Sequence, residues 1–554
     1  MSSFWWENAV IYEIYIRSFY DSNGDGIGDL EGIRQKLPYL ENLGIDAIWI
    51  TPFFVSPRVD NGYDISCYTD IDPQYGTMAD FHTLLEEAHR RGIRVILDMV
   101  LNHTSSEHPW FRESRASRYA EKRDWYIWRD TPNNWGSQFG GPAWHFDKQS
   151  GQYYLGLFSA AQPDLNWRNS DVRAALKDVL CFWAEMGVDG FRLDVISLIA
   201  KPEKYPDAPV SESGWADFHP FVANNPEAHA YLRELNEEVF APYALLTVGE
   251  ASGVTLEEAA KYCMPSRNEL DMVFQFEHVG LDGSEEYKWT GKRIDLEALK
   301  TVLFRWQTGS EGRFQNTLFW CNHDQPRIIS RLGDRGALRE RSAKMLMTAL
   351  YLMKGTAFLY QGQELGTLGG GFTSPVELRD VEGIKAFQIL LQGGMSEERA
   401  MALVSAKTRD NARTPMQWSS EHNAGFSSGN PWIKSGEQYE EINAEEQLSR
   451  ADSPLNFCRR LMQLRREATC FADGRFLACE GSPDVLAYER IAGDERSFVI
   501  CNLSASAQSC PVPERYKHGE VLLANCLESR YADTGTLLPY ECLVIKRRTD
   551  YAII

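Results

Sequence analysis

The chain has 554 residues, with 57 Lys and Arg against 78 Asp and Glu, a formal net charge of −21 at pH 7. That balance argues against nucleic acid and anionic membranes as partners, because both reward a basic surface. Hydrophobic residues at 43% and charged residues at 24% are ordinary globular usage, which excludes disordered and collagen-like chains.

At roughly 150 residues per domain, the length calls for two to four domains or one large barrel with insertions. The strongest apolar run, Met345–Tyr360, is broken by Lys354 and does not read as a membrane span. Met1–Glu7 shows no basic segment leading into an apolar one, so no signal peptide is expected. The eleven cysteines, with no CxxC pair, then read as reduced thiols of a cytoplasmic protein rather than disulfides or a zinc site. A monomer is expected.

In chain order, short β-branched or aromatic runs alternate with segments whose apolar residues recur every three or four positions. Strand Val10–Tyr15 precedes helix Leu30–Leu43, strand Asp46–Thr51 precedes helix Met78–Arg91, and strand Arg94–Met99 precedes helix Val172–Met186. Val188–Val195 is followed by Glu227–Phe240, Ala244–Gly249 by Leu256–Tyr262, and Asp271–Phe276 by Leu296–Trp306. Thr317–Cys321 leads to Leu338–Met353, and Ala357–Gln361 leads, after a long interval, to Leu455–Arg465. Eight strands each answered by a helix predict a (β/α)8 barrel over residues 1–103 and 171–471. Residues 104–170, rich in Trp, Gly, Pro and Asn, are too long for a βα loop and read as an inserted domain after strand 3. Residues 366–450 read as a lid-like insertion after strand 8 with one short helical stretch. Beyond Ala472 helix periodicity ends, and runs such as Val485–Glu489, Ser497–Asn502 and Glu520–Leu523 predict a C-terminal antiparallel β-domain, a sandwich over 472–554.

A barrel gathers its site at the C-terminal ends of its strands. Those ends carry Asp98 with Asn102 and His103, Arg192 with Asp194, Glu250, and Asn322-His323-Asp324. Singly, such residues are ordinary helix caps or ion-pair members. Together they place three carboxylates, Asp194, Glu250 and Asp324, in one pocket. Retaining glycoside hydrolysis needs a carboxylate nucleophile and a carboxylic acid about 5–5.5 Å apart. Arg192 and Asp194, two apart on a strand, face the same way, so the guanidinium is expected to hold Asp194 ionised. Glu250 follows an apolar run, Ala244–Gly249, whose desolvation is expected to keep it protonated.

On these residues the chain resembles the α-amylase superfamily of glycoside hydrolases, in its exo-acting α-glucosidase branch. The resemblance spans essentially the whole chain and rests on Asp98–His103, Gly190–Asp194, Val248–Glu250 and Asn322–Asp324. Gln162–Trp167, near the end of the inserted domain, resembles a fifth signature. It implies Asp194 as nucleophile, Glu250 as general acid/base and Asp324 as transition-state stabiliser, with His103, Arg192 and His323 binding the sugar at subsite −1. It further implies that Asp60 and Arg413 grip the terminal glucose and that Tyr63 is a stacking platform. Val195, after the nucleophile, tends in this branch to accompany α-1,6 cleavage.

Residues 21–29 place oxygen ligands at alternate positions, like the opening of an EF-hand loop, but Gly32 stands where a twelfth-position Glu would. The resemblance implies a structural Ca²⁺ held by Asp21, Asn23, Asp25, the Ile27 carbonyl and Asp29, with Mg²⁺ an alternative. No organic cofactor is expected. The expected activity is hydrolysis of terminal α-1,6 bonds in short oligosaccharides such as isomaltose or isomaltulose-type disaccharides. Two alternatives share the scaffold. Sucrose isomerases carry an Arg-Leu-Asp-Arg stretch where this chain has Gly280-Leu281-Asp282-Gly283. Trehalose-6-phosphate hydrolases need basic groups for phosphate, for which Lys288, Lys292 and Arg293 are candidates. A non-catalytic amylase-like interaction protein is the alternative of another class, disfavoured by the intact carboxylates.

Overall fold

The computed structural model describes residues 4–211, 214–284 and 288–548. Eight parallel strands form its centre: β1 (Val10–Ile14), β2 (Ala47–Ile50), β3 (Arg94–Val100), β4 (Gly190–Asp194), β5 (Leu246–Glu250), β6 (Met272–Phe274), β7 (Thr317–Leu318) and β8 (Thr356–Tyr360). Their order is β6-β5-β4-β3-β2-β1-β8-β7. Between β6 and β7 the Thr317 hydroxyl donates to the Val273 carbonyl at 3.0 Å. The (β/α)8 barrel expected from the alternation is the observed fold.

Helices α1 (Leu30–Leu43), α2 (Met78–Arg90), α3 (Ser170–Glu185), α4 (Pro226–Leu235), α5 (Leu256–Cys263), α6 (Leu296–Ser310) and α7 (Arg339–Tyr351) surround the strands. Their ends follow local chemistry. Asp29 caps α1 by accepting from the Gly32 amide, and Thr77 and Asp80 form a reciprocal capping box on α2.

The two-residue period of each strand sorts side chains between two cores. On β1, Val10, Tyr12 and Ile14 pack in the large core that includes the helices, while Ile11 lies in the smaller interior cluster with Trp49, Phe274 and Phe358. Glu13 therefore points inward. On β4, Phe191 and Leu193 join the large core, which turns Arg192 and Asp194 into the barrel.

Three additions surround the mouth or flank of the barrel. Between β3 and α3 lies a three-stranded antiparallel sheet of Trp128–Arg129, Trp144–Asp147 and Gln152–Leu155. After β8 the chain forms a pair of packed helices, α8 (Val381–Gln392) and α9 (Glu397–Lys407), where the sequence showed a single short stretch. Helix α10 (Pro454–Glu467) then completes the outer ring. Strands β9 (Arg475–Ala478), β10 (Val485–Ala492), β11 (Glu495–Asn502), β12 (Glu520–Ala524) and β13 (Cys542–Lys546) make an antiparallel sheet in the order β9-β10-β11-β13-β12. It docks on the barrel through Arg490, whose guanidinium donates to the Leu352 carbonyl at 2.7 Å. Among the described residues no helix is long and apolar enough to cross a membrane.

Candidate active site

The inward residues at the strand ends meet around one guanidinium. Arg192 donates from Nη1 to Asp98 at 2.7 Å and to Asp194 at 2.8 Å. Its Nη2 donates to Glu250. Asp194 and Glu250 are thus held side by side on one guanidinium, the pairing of carboxyl groups that glycoside hydrolysis requires. Asp98 also accepts from the Tyr63 hydroxyl at 2.8 Å and the Trp49 indole at 3.1 Å.

The expectation that Arg192 alone keeps Asp194 ionised needs correction. Burial pushes the Asp194 carboxyl well above the usual carboxylate range. Arg192 opposes this, but Glu250 and Asp98 beside it push the same way. One guanidinium facing three carboxyls leaves excess negative charge, which favours the protonated form of Asp194.

Val195 carries a second device. Its backbone is left-handed, φ 37° and ψ 39°, an uncommon and strained conformation for a β-branched residue. The turn aims its amide at Glu250, to which it donates at 3.2 Å. Its side chain is buried in the apolar cluster that joins Trp135 and Leu157 of the inserted domain to Phe218 after β4. Gly249, just before Glu250, is packed so closely that a Cβ would lie 2.7 Å from Leu270 and 2.8 Å from Ile196.

On the opposite wall, Asp324 accepts from Arg413 at 2.7 Å and from Arg409 at 3.3 Å. Although it is buried, His323 and the two guanidinia hold its carboxyl well below the usual range. The expected pair Asp60 and Arg413 is linked through Arg409 and Asp324. Asp60 pairs with Arg409 at 2.9 Å, and Arg409 is anchored in turn by fully buried Asp380 at 2.6 Å. Tyr63 stacks on His323 at 5.2 Å with the rings 4° from parallel. His103 faces the Tyr63 carbonyl at 3.0 Å, and Gln162 donates to Asp60 at 3.2 Å. Burial pulls the His103 imidazole below its ordinary value. Three buried polar atoms on neighbouring residues make no hydrogen bond among the described residues: Tyr15 Oη, His323 Nε2 and Arg413 Nη1.

Sequence reading missed Arg409, Asp380, Gln162, Glu13 and Lys201. Lys201 is buried and joins the inserted domain to the barrel, 2.8 Å from Asp164 and donating to Leu198 O at 2.6 Å. Gln162 opens the Gln162–Trp167 signature already singled out, and Arg409 stands four residues before Arg413.

The 21–29 loop is closed by its own side chains. Asp21 accepts from the amides of Asn23 (3.0 Å), Gly24 (2.7 Å) and Gly26 (2.8 Å). Asn23 accepts from the Asp25 amide and Asp25 from the Ile27 amide, each at 2.9 Å. Asp29 is occupied as the α1 cap and by Ser22. Among the described residues no three His, Cys, Asp or Glu side chains converge as a metal site.

Of the phosphate candidates, Lys288 is already paired with Glu382 at 2.5 Å, while Lys292 and Arg293 are exposed. Asp282 is tied to Arg331 at 2.7 Å and Lys407 at 2.6 Å.

Comparison with known proteins gives a consistent picture. Residues 13–474 match the family model for the alpha amylase catalytic domain. An oligo-1,6-glucosidase of Bacillus cereus is 46% identical over 99% of this chain and 100% of its own length. The structure is similar to a trehalose-6-phosphate hydrolase of Bacillus licheniformis, with a TM-score of 0.93 at 43% identity, covering 98% of this chain and 100% of that one. It is also similar to an isomaltulose synthase of Klebsiella, with a TM-score of 0.94 at 38% identity, covering 99% and 100%.

Proposed function

The chain belongs to the alpha-amylase family of glycoside hydrolases, and from that premise we propose that it is a retaining exo-α-glucosidase cleaving terminal α-1,6 bonds of short oligosaccharides. The observation that carries the glucose pocket is the trio of buried atoms without a hydrogen bond, Tyr15 Oη, His323 Nε2 and Arg413 Nη1, on three residues in contact with one another. Buried polar atoms without partners are costly, and a sugar's hydroxyls supply what they lack.

In this reading Asp194 attacks the anomeric carbon while Glu250 gives its proton to the leaving oxygen. Glu250, steered by the Val195 amide, then takes a proton from the water that releases glucose. Asp324 grips the sugar hydroxyls, and Arg409, Asp60 and Arg413 close the blind end. Tyr63 lines the sugar site.

The α-1,6 preference rests on Val195 and on relatives such as the Bacillus cereus oligo-1,6-glucosidase. Val195→Thr keeps the branch point but changes its surface. The ratio of kcat/KM for isomaltose over maltose should fall by about 10- to 100-fold, the reach of one methyl-sized change. An unchanged ratio would remove Val195 from the specificity argument. The pairing of Lys288 with Glu382 speaks against a phosphate-bearing substrate.

We also propose that the 21–29 loop takes a divalent cation, because its donors are all hard oxygens suited to Ca²⁺ or Mg²⁺. Dialysis against EDTA should lower the melting temperature, with recovery on adding Ca²⁺. Identical melting curves and no bound metal would dismiss the site. Eleven unpaired cysteines support action in the cytoplasm.

A further inference from the structure

Glu13 is 2% exposed, points into the barrel and takes no part in the chemistry just described. Its Oε1 lies 2.7 Å from His323 Nδ1 and accepts from the His323 amide at 3.1 Å. Both ring nitrogens of His323 are thus set against carboxylates, because Nε2 lies 3.1 Å from Asp324 Oδ2 without hydrogen-bond alignment. The ring has no freedom to turn away. Tyr63 stacks on it at 5.2 Å, Tyr15 stacks at 6.1 Å, and Trp49 meets it edge-on at 6.0 Å.

We propose that Glu13 is a positioning residue of the glucose pocket: its carboxylate keeps His323 doubly protonated, making Nε2–H a fixed, charged donor to the bound sugar beside Asp324. A neutral partner at position 13 would accept the same Nδ1 hydrogen bond but supply no charge. His323 would then hold its second proton only through Asp324, which the substrate also engages.

The surrounding charges support the assignment. Glu13 faces the ring from β1, Asp324 follows it in the chain, and Asp98 and Arg192 stand across Tyr63 and Trp49 on β3 and β4. Arg413 donates to the His323 carbonyl at 3.1 Å, and Arg409 lies beyond Asp324. Burial would lower the imidazole, yet Asp324 and then Glu13 outweigh it and push it up to about 9. This inference rests on the glucosidase reading, so its test uses binding of free glucose, which is independent of the linkage cleaved.

The experiment is the inhibition constant for glucose as a function of pH, in the unaltered enzyme and in Glu13→Gln and Glu13→Asp. Removing one contacting charge moves a pKa by about 1–3 units, which brings His323 from about 9 into the neutral range. The unaltered enzyme and Glu13→Asp should bind glucose evenly from about pH 6 to about pH 8, the range over which an ordinary histidine discharges. Glu13→Gln should lose roughly tenfold in affinity for each pH unit above the lowered pKa. A purely structural role would weaken binding equally at every pH.

Parallel profiles for Glu13→Gln and the unaltered enzyme would overturn the proposal. Should Glu13→Gln not fold, calorimetry of glucose binding to the unaltered enzyme near pH 8, in two buffers of different ionisation enthalpy, decides instead. No proton uptake is expected, and uptake of one proton would show His323 neutral despite Glu13. Absence of any glucose inhibition would instead sink the glucosidase reading itself.

Discussion

Asp194→Asn should fold normally and turn over almost nothing. The amide keeps the shape of the side chain, and Arg192 retains Asp98 and Glu250 as partners, so no charge is left stranded. What disappears is the nucleophile, and losing a group of that kind costs on the order of 10⁴–10⁶ in kcat. Burst experiments with an aryl α-glucoside should show no covalent enzyme. Glu250→Gln should differ: an aryl glucoside with a good leaving group needs little acid, so it should still form the intermediate and then stall. Wild-type turnover in Asp194→Asn, with a native melting profile, would contradict the nucleophile assignment.

The second large effect belongs to a residue that sequence reading passed over. Arg409 bridges Asp60, Asp324 and Asp380, and Asp380 is fully buried. Arg409→Ala strands Asp60 and Asp380, while Asp324 keeps Arg413. Breaking a buried ion pair by removing one partner costs about 3–5 kcal/mol, and the blind end of the pocket loses the group that orients Asp60. Both stability and KM should therefore suffer. The pH dependence separates this from a generic packing defect. Although burial opposes it, Arg409 and then Arg413 hold the Asp380 carboxyl far below its ordinary value. That stabilisation is present above the unfolded carboxylate pKa, about 3.9, and is lost as pH falls toward the depressed folded value. Without Arg409 the carboxyl prefers its proton, so the deficit of the variant should be greatest near neutrality and shrink toward about pH 4. A deficit independent of pH would mean that packing, not charge, is what Arg409 supplies. Arg409→Lys should not rescue fully, because an ammonium cannot match the planar fork.

The strands and most helices were legible because their apolar periods are local. Of the helix pair after β8 only one stretch was expected: in α9 the buried face carries Lys407 while Ala402 and Ala406 lie exposed, which blunts the contrast between faces. Strand β7 is shorter than its apolar run because ladder pairing stops at Leu318. In the pocket, Asp194, Glu250, Asp324, His103 and His323 stood out as polar residues at strand ends, where few side chains are spare.

Their supports are long-range. Glu13 is 310 residues from His323, and Asp60 is 349 from Arg409. No local pattern marks either pairing. The left-handed backbone of Val195 was equally hidden, because its identity argues against that conformation. The charge on Asp194 was misjudged for a related reason. Strand spacing revealed Arg192 as a neighbour but not that Asp98 and Glu250 share the same guanidinium.

The measurement that bears most directly on the central claim is the set of initial rates on isomaltose, isomaltulose, maltose, sucrose and trehalose-6-phosphate, with Asp194→Asn as the blank. The account predicts that isomaltose or isomaltulose dominates and that glucose is released from the non-reducing end with retained configuration. Rates dominated by trehalose-6-phosphate would contradict it, leaving the barrel and its carboxylates in place but making Lys288, Lys292 and Arg293 the determinants of specificity.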